Sequence, residues 1–159
     1  MAILEIIKYP DKKLKNIAQP IDIIDKKTKN EIEYMIETMF FFKGIGLSST
    51  QVNINKRIII ISINEKQKSM TLINPMIINN KSKIIQSREG CLSFPGIFVS
   101  IKRYKSILVK YKDINNTIKI TNFDNISSIC IQHEIDHLNG ITIYERISSL
   151  KKKLINKNG

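Results

Sequence analysis

The hydrophobic period changes twice along this chain, and that change constrains the fold more than any single motif. From Asp25 to about Phe42 the apolar residues Ile32, Met35, Ile36, Met39 and Phe40 recur at three- and four-residue spacing, one face of a helix. Asp25 is placed to cap its start and Gly44 to end it. The middle reads differently. "KRIIIISIN" at 56–64 is rich in β-branched residues and reads as a strand. "SMTLINPMII" at 69–78 reads as another, interrupted at Pro75. Further on, Ile107 and Val109 alternate with polar residues, Asn115-Asn116 turns the chain, and Ile118 and Ile120 alternate again, which predicts a hairpin. After Asn122 the helical period returns. Asp124 or Asn125 can cap a helix that runs through Leu138 and stops at Gly140, with Ile126, Ile129, Cys130, His133 and His137 on one face.

A short helix is expected after Pro10-Asp11, closed before Pro20, and a last one from near Ser148 into the basic tail "KKKLINKNG". Helix, then strands, then helix argues for an α+β fold. Antiparallel β-sheets would pack around a central helix carrying His-Glu-x-x-His, with one helix N-terminal and one C-terminal. A chain of 159 residues with 42% hydrophobic content suggests a single domain over 1–159.

Two cysteines, Cys91 and Cys130, give no disulfide framework, so free thiols in a reducing compartment are expected. No run approaches the ~20 apolar residues of a membrane span, and the start "MAILEIIKYP" is too briefly apolar for a leader. The expected location is the cytoplasm. The formal net charge of +12 would suit a polyanionic partner. The same charge follows from a composition dominated by Ile, Lys and Asn, as A/T-biased codons would produce.

The only two histidines of the chain lie in "QHEIDHLNG", residues 132–140. Residues i and i+4 share a helix face, so His133 and His137 can converge on one ion. Glu134 then sits where a carboxylate can take a proton from an activated water. The competing reading is a pair of partly exposed histidines among ordinary surface acids. A hydrolytic site wants a third protein ligand. Cys130 is nearest in sequence, but it lies seven residues, about 10.5 Å along a helix axis, from His137. A ligand from another element closes the site better, and Cys91, in "EGCLSFPG" with a Pro-Gly turn after it, is the remaining cysteine. For both cysteines the alternative is a small buried hydrophobe. The loop "GIGLSSTQV" at 44–52 is a weak phosphate-loop match, lacking a third glycine and a following Lys-Ser/Thr. Its glycines suit close approach to an extended ligand, with Gln51 offering an amide donor.

"GIGLSSTQ", "EGCLS" and "QHEIDH", in this order, resemble peptide deformylase, and the resemblance runs from "YPDKKL" to the end of the chain. It implies hydrolysis of the N-formyl group from the N-terminal methionine of newly made polypeptides, releasing formate. It implies that Cys91, His133 and His137 hold one divalent ion, typically Fe²⁺, with Zn²⁺ or Ni²⁺ as substitutes. By the same resemblance Glu134 is the general base and later acid, and Gln51 and the Leu92 N–H are oxyanion donors. Ile45, Gly46 and Gly90 contact the peptide backbone, and Ile129, Cys130 and His133 wall the methionine pocket. Glu89 and Arg103 form a supporting ion pair. The expected partners are N-formylmethionyl nascent peptides and, transiently, the ribosome through the basic C-terminal helix.

Three positions depart from the family pattern. Ser48 and Ser49 replace small apolar residues, and their hydroxyls must find partners. Phe98 stands where many members carry an arginine that binds the peptide. Two rival readings stay open at this point. A zinc peptidase shares His-Glu-x-x-His, and Glu145 is the one acid downstream of His137. A small basic RNA-binding protein would leave the histidines incidental.

Overall fold

The structure is a computed structural model and describes residues 2–64 and 68–147. Isoleucines 58–61 open the strand β2 (Ile58–Asn64) and divide between its two faces. Ile59 and Ile61 pack with Leu72, Ile107, Val109 and Phe123 against Ile131, Ile135 and Leu138 of helix α2 (Asn125–Leu138). Ile58 and Ile60 pack with Leu47 and Ile73 against Ile32, Met35 and Met39 of helix α1 (Lys26–Phe41). A run of β-branched apolar residues is what a strand covered on both faces requires.

That strand belongs to a five-stranded antiparallel sheet. Its other members are β1 (Gly46–Ser48), β3 (Lys68–Asn79), β6 (Ser106–Lys112) and β7 (Ile118–Asp124), in the order β1-β2-β3-β6-β7. A separate hairpin pairs β4 (Ile84–Cys91) with β5 (Phe94–Tyr104). Helix α2 touches strands of both sheets. The architecture is therefore α+β with antiparallel sheets and, among the described residues, three α-helices, the third being the one-turn α3 (Ile143–Arg146).

Several expected boundaries hold. Asp25 caps α1 by accepting from Thr28 N–H at 2.8 Å. Asp11 caps a single 3-10 turn, Lys12–Lys15, before Pro20. Gly140 ends α2 in a left-handed conformation, φ 73°, where a Cβ would run into the Lys15 carbonyl. Ile141 N–H returns to Asp136 C=O at 2.8 Å and Gly140 N–H to His137 C=O at 3.1 Å, closing a Schellman turn.

Other expectations are corrected. The left-handed residue after α1 is Lys43, φ 57°, not Gly44. Gly44 follows it and bonds Met39 C=O at 2.9 Å. Strand β3 runs through Pro75 without stopping, because a bulge with Asn74 at φ 51° absorbs it. The Asn74 side chain ties that bulge to the backbone of Ile21 on both sides, at 2.7 and 3.0 Å. The β6–β7 hairpin forms, but Ile118 and Ile120 are each 58% exposed and Phe123 is the buried residue of β7.

Helix α2 has no single apolar face: every residue from Cys130 to Leu138 is buried, whereas Ile126 is 72% exposed. The Pro95-Gly96 pair is not a turn but the start of β5; the turn is Leu92-Ser93. The helix expected from Ser148 falls outside the described residues, so α2 is the last long helix among them.

Candidate metal and hydrolytic site

The β4–β5 hairpin delivers a thiol to helix α2. Cys91 ends β4 and faces Phe94 across the two-residue turn. Its Sγ lies 3.3 Å from His137 Nε2. Cys91, His133 and His137 each present a ligand atom within 4.8 Å of the others. Cys130 stays out of this group; its thiol points at the Ile45 carbonyl, 3.4 Å away, and burial raises its pKa well above the ordinary thiol value.

A chain of charges orients the ligands. His133 Nδ1 meets Glu89 Oε1 at 2.9 Å, which leaves Nε2 for the ligand cluster. Arg103 grips both Glu89 oxygens, at 2.8 and 2.9 Å, and donates to Asp136 at 2.6 Å. Arg146 holds Asp136 from the other side at 2.7 and 3.0 Å. The ion pair expected between Glu89 and Arg103 is thus one link of a longer network. Asp136 and Arg146 were not among the expected site residues; ordinary surface acids around the histidines were only the competing reading. The signal for the Arg146 turn was Thr142-x-x-Glu145, a capping box that forms with Glu145 accepting from Thr142 N–H at 2.9 Å.

The electrostatics suit a cation. Burial pushes the Glu89 carboxyl up, but hydrogen bonds from Arg103 and His133 outweigh it and hold the pKa at about 2. Burial pulls His133 down, yet Glu134, Cys91 and Glu89 raise it well above the ordinary imidazole value. The groups that draw a proton to His133 equally favour a metal ion at the shared position. Burial, reinforced by His133 and Arg103, keeps His137 neutral, as a ligand must be. Its Nδ1 is buried without a hydrogen-bond partner, and so is Glu134 Oε1. A soft thiol, two imidazoles and an unpartnered carboxylate fit a divalent ion with hydrolytic work to do. Burial lifts Glu134 to about 7 against the opposing pull of His133.

Gly46 explains how β1 comes so close. A Cβ there would stand 2.5 Å from Glu134 Oε2 and 2.6 Å from Cys130 Sγ. At Gly90, which is exposed, a Cβ would stand 2.7 Å from the Phe98 ring, itself 58% exposed and free to move aside. Gln51 sits on a 3-10 turn, Ser49–Val52, and its Nε2 donates to Ser93 Oγ at 3.1 Å and Cys91 Sγ at 3.5 Å. Both foreign hydroxyls find partners: Ser48 Oγ donates to Gln51 Oε1 at 3.2 Å, and Ser49 Oγ to the Lys56 carbonyl.

These residues border a cavity of about 1220 Å³. Ile45, Phe98, Ile126, Ile129, Cys130 and His133 line its apolar part, with Glu134, Gln51 and Leu92 also on its wall. Of the residues expected to wall the methionine pocket, all three are on this surface; Ile126 joins them. Glu145, the zinc-peptidase alternative, is instead engaged by Thr142.

A buried carboxylate beside a three-residue ligand group, opening on an apolar cleft, is the equipment of a metal-dependent hydrolase. The family model described as polypeptide deformylase matches residues 3–153. The chain is 44% identical over 159 residues to the peptide deformylase of Buchnera aphidicola, covering 99% of this chain and 94% of that protein. It is 38% identical over 156 residues to that of Chromobacterium violaceum, covering 98% and 93%. Among solved structures it is similar to the Legionella pneumophila peptide deformylase, with TM-score 0.93 at 30% identity over 98% of this chain and 92% of that one. The Ehrlichia chaffeensis enzyme in complex with actinonin gives 0.94 at 32% over 99% and 96%. The chain belongs to the polypeptide deformylase family. It is an enzyme that removes the N-formyl group from the N-terminal methionine of newly synthesised polypeptides, releasing formate. Among the described residues no helix is long and apolar enough to cross a membrane, and both cysteines are free.

Proposed function

We propose that Glu134 is the proton carrier of this deformylase. The observation that carries this reading is its position: a buried carboxyl, raised to about 7, on the cavity wall beside the ligand group. A carboxylate with that pKa can take a proton from water and return it to the leaving nitrogen near neutral pH. A divalent ion held by Cys91 Sγ, His133 Nε2 and the His137 imidazole would supply Lewis acidity toward water and the formyl oxygen. Fe²⁺ is our assignment, with Zn²⁺ or Ni²⁺ able to replace it, because the family resemblance favours iron while the ligand types alone suit zinc.

Gln51 Nε2 and the Leu92 N–H are read as the donors that meet charge on the formyl oxygen. Loss of one such donor typically lowers the rate by ~10²–10³. The peptide would lie as an added strand between β1 and β4, whose pairing partners among the described residues are β2 and β5 alone. Main-chain bonds at Ile45, Gly46 and Gly90 would accept any sequence after the first residue. The apolar wall of Ile129 and Cys130, closed by His133, would select methionine.

On the same reading, 1–159 is one domain organised about α2, a view supported by the contact of that helix with both sheets. The cytoplasm is the proposed location, and the lysine-rich 151–159 segment the proposed ribosome contact. The test of the mechanism is Glu134→Gln, assayed for formate release from a formyl-Met tripeptide alongside metal content. Metal should be retained and turnover should fall by at least ~10³. Turnover near wild type would overturn the assignment.

A further inference from the structure

We propose that Ser48 is a positioning residue: its hydroxyl helps lock the Gln51 amide with the nitrogen toward the reaction site. An amide has two orientations of nearly equal shape, which differ in whether a donor or an acceptor faces outward. An outward oxygen would oppose the negative charge that develops on the formyl group. The contacts at the inner end decide between them. Gln51 Oε1 accepts from Ser48 N–H at 3.0 Å and from Ser48 Oγ at 3.2 Å. Ser48 is fully buried and Gln51 is 1% exposed, so these bonds form in a place shielded from solvent.

The backbone N–H sets the polarity, because it can only donate. A flipped amide would set its NH₂ against that N–H and strand a buried donor. The hydroxyl does not choose the polarity, since it could also accept from an NH₂; it adds a second bond to the same oxygen and so restrains rotation of the amide out of the orientation the N–H sets. At the outer end Ser93 Oγ takes one N–H at 3.1 Å. That contact alone does not discriminate, since a hydroxyl can donate or accept. The other N–H lies toward Cys91 Sγ and the cavity. Ser48 stands where the family pattern has a small apolar side chain, so this chain carries a tie on Gln51 that the pattern does not require.

The proposal rests on the reading of Gln51 as an oxyanion donor, and the test separates the two. Ser48→Ala removes the hydroxyl without adding atoms; because Ser48 is also the N-cap of the Ser49–Val52 turn, thermal melting is measured alongside. With a formyl-Met tripeptide and nickel-loaded enzyme, kcat should fall about three- to tenfold, the scale of one neutral hydrogen bond. KM should stay within about twofold and metal content should not change. In a Gln51→Leu background, Ser48→Ala should have no further effect on kcat, because there is no amide left to orient. In ¹H–¹⁵N spectra of zinc-loaded protein, Ser48→Ala should broaden or double the Gln51 side-chain NH₂ pair. An unchanged kcat in Ser48→Ala, or an equal loss in both backgrounds, overturns the positioning role. A wild-type kcat in Gln51→Leu alone would instead remove the reading of Gln51 and the proposal with it.

Discussion

Replacing Arg103 with methionine should unfold this protein more readily than almost any other single change. The guanidinium is 4% exposed and makes three charge-assisted hydrogen bonds, at 2.6, 2.8 and 2.9 Å, to two carboxylates that are themselves buried. Without it Asp136 keeps Arg146, but Glu89 keeps only His133. Removing one partner of a buried ion pair costs about 3–5 kcal/mol. The Glu89 pKa points the same way: burial raises it, and Arg103 together with His133 outweighs that and holds it at about 2. In a chain of this size 1 kcal/mol shifts the melting temperature by about 2–4 °C, so the expected drop is about 6–20 °C.

The assay is urea unfolding of metal-free protein at pH 7, with the midpoint lowered and the slope unchanged. The pH series gives a second check. A carboxyl whose folded pKa is depressed contributes stability that is complete above the unfolded value of 4.5 and lost as pH falls toward about 2. The gap between wild type and Arg103→Met should therefore close across that window. A loss below about 1 kcal/mol at pH 7, the level of an exposed pair, would refute the argument.

Cys91→Ala should lose the metal while Cys130→Ala keeps it, as measured by metal analysis of anaerobically handled protein; the opposite result would mean the wrong thiol was assigned. Gly46→Ala should drive a methyl into Glu134 Oε2, lowering kcat/KM by ~10² or more while stability falls by about 1–3 kcal/mol; unchanged turnover counts against the close approach. Gly140→Ala combines a left-handed φ of 73° with a clash on the Lys15 carbonyl, so it should cost about 2–3 kcal/mol in thermal melting. Gly44→Ala, which meets the flexible end of Leu92, should be mild by the same measurement.

The elements that sequence periodicity exposes most clearly are those whose inward positions are apolar. Strand β2 and helix α1 are of this kind, and so is β6, where Ile107, Val109 and Tyr111 alternate inward. The β4–β5 hairpin escaped because its inward positions include Ser87, Glu89 and Arg103, which an apolar alternation cannot register. Helix α2 was legible as a helix but not as a buried one. Gln132 and Asp136 are polar residues with no role assigned by the sequence motif, and Glu134 is assigned one without any indication of its depth. Each is buried here, with Gln132 bonded to both the N–H and C=O of Tyr104 at 3.0 and 2.8 Å. Of the candidate site, spacing pointed to His133 and His137 as a pair, and their ring nitrogens do lie together with Cys91 Sγ. Cys91 needed a second motif, because nothing local says which strand will reach the helix.

Why Cys91 reaches it follows from two matched spacings. Glu89 and Cys91 are two residues apart on β4, at most about 6.7 Å along a strand, with an irregularity in the pairing to β5 between them. His133 and His137 are four apart on α2, a rise of about 6 Å along a helix. The lengths nearly agree, so two ties run side by side: Glu89 to His133 at 2.9 Å and Cys91 to His137 at 3.3 Å. Arg103 and Asp136 hold the first tie from behind. That tie places the strand along the helix without help from the ligand atoms of Cys91 and His137. The buried ion network therefore acts as the gauge for the ligand group. A Glu-x-Cys strand lying against a His-x-x-x-His helix thus brings the three candidate ligand atoms within 4.8 Å of one another.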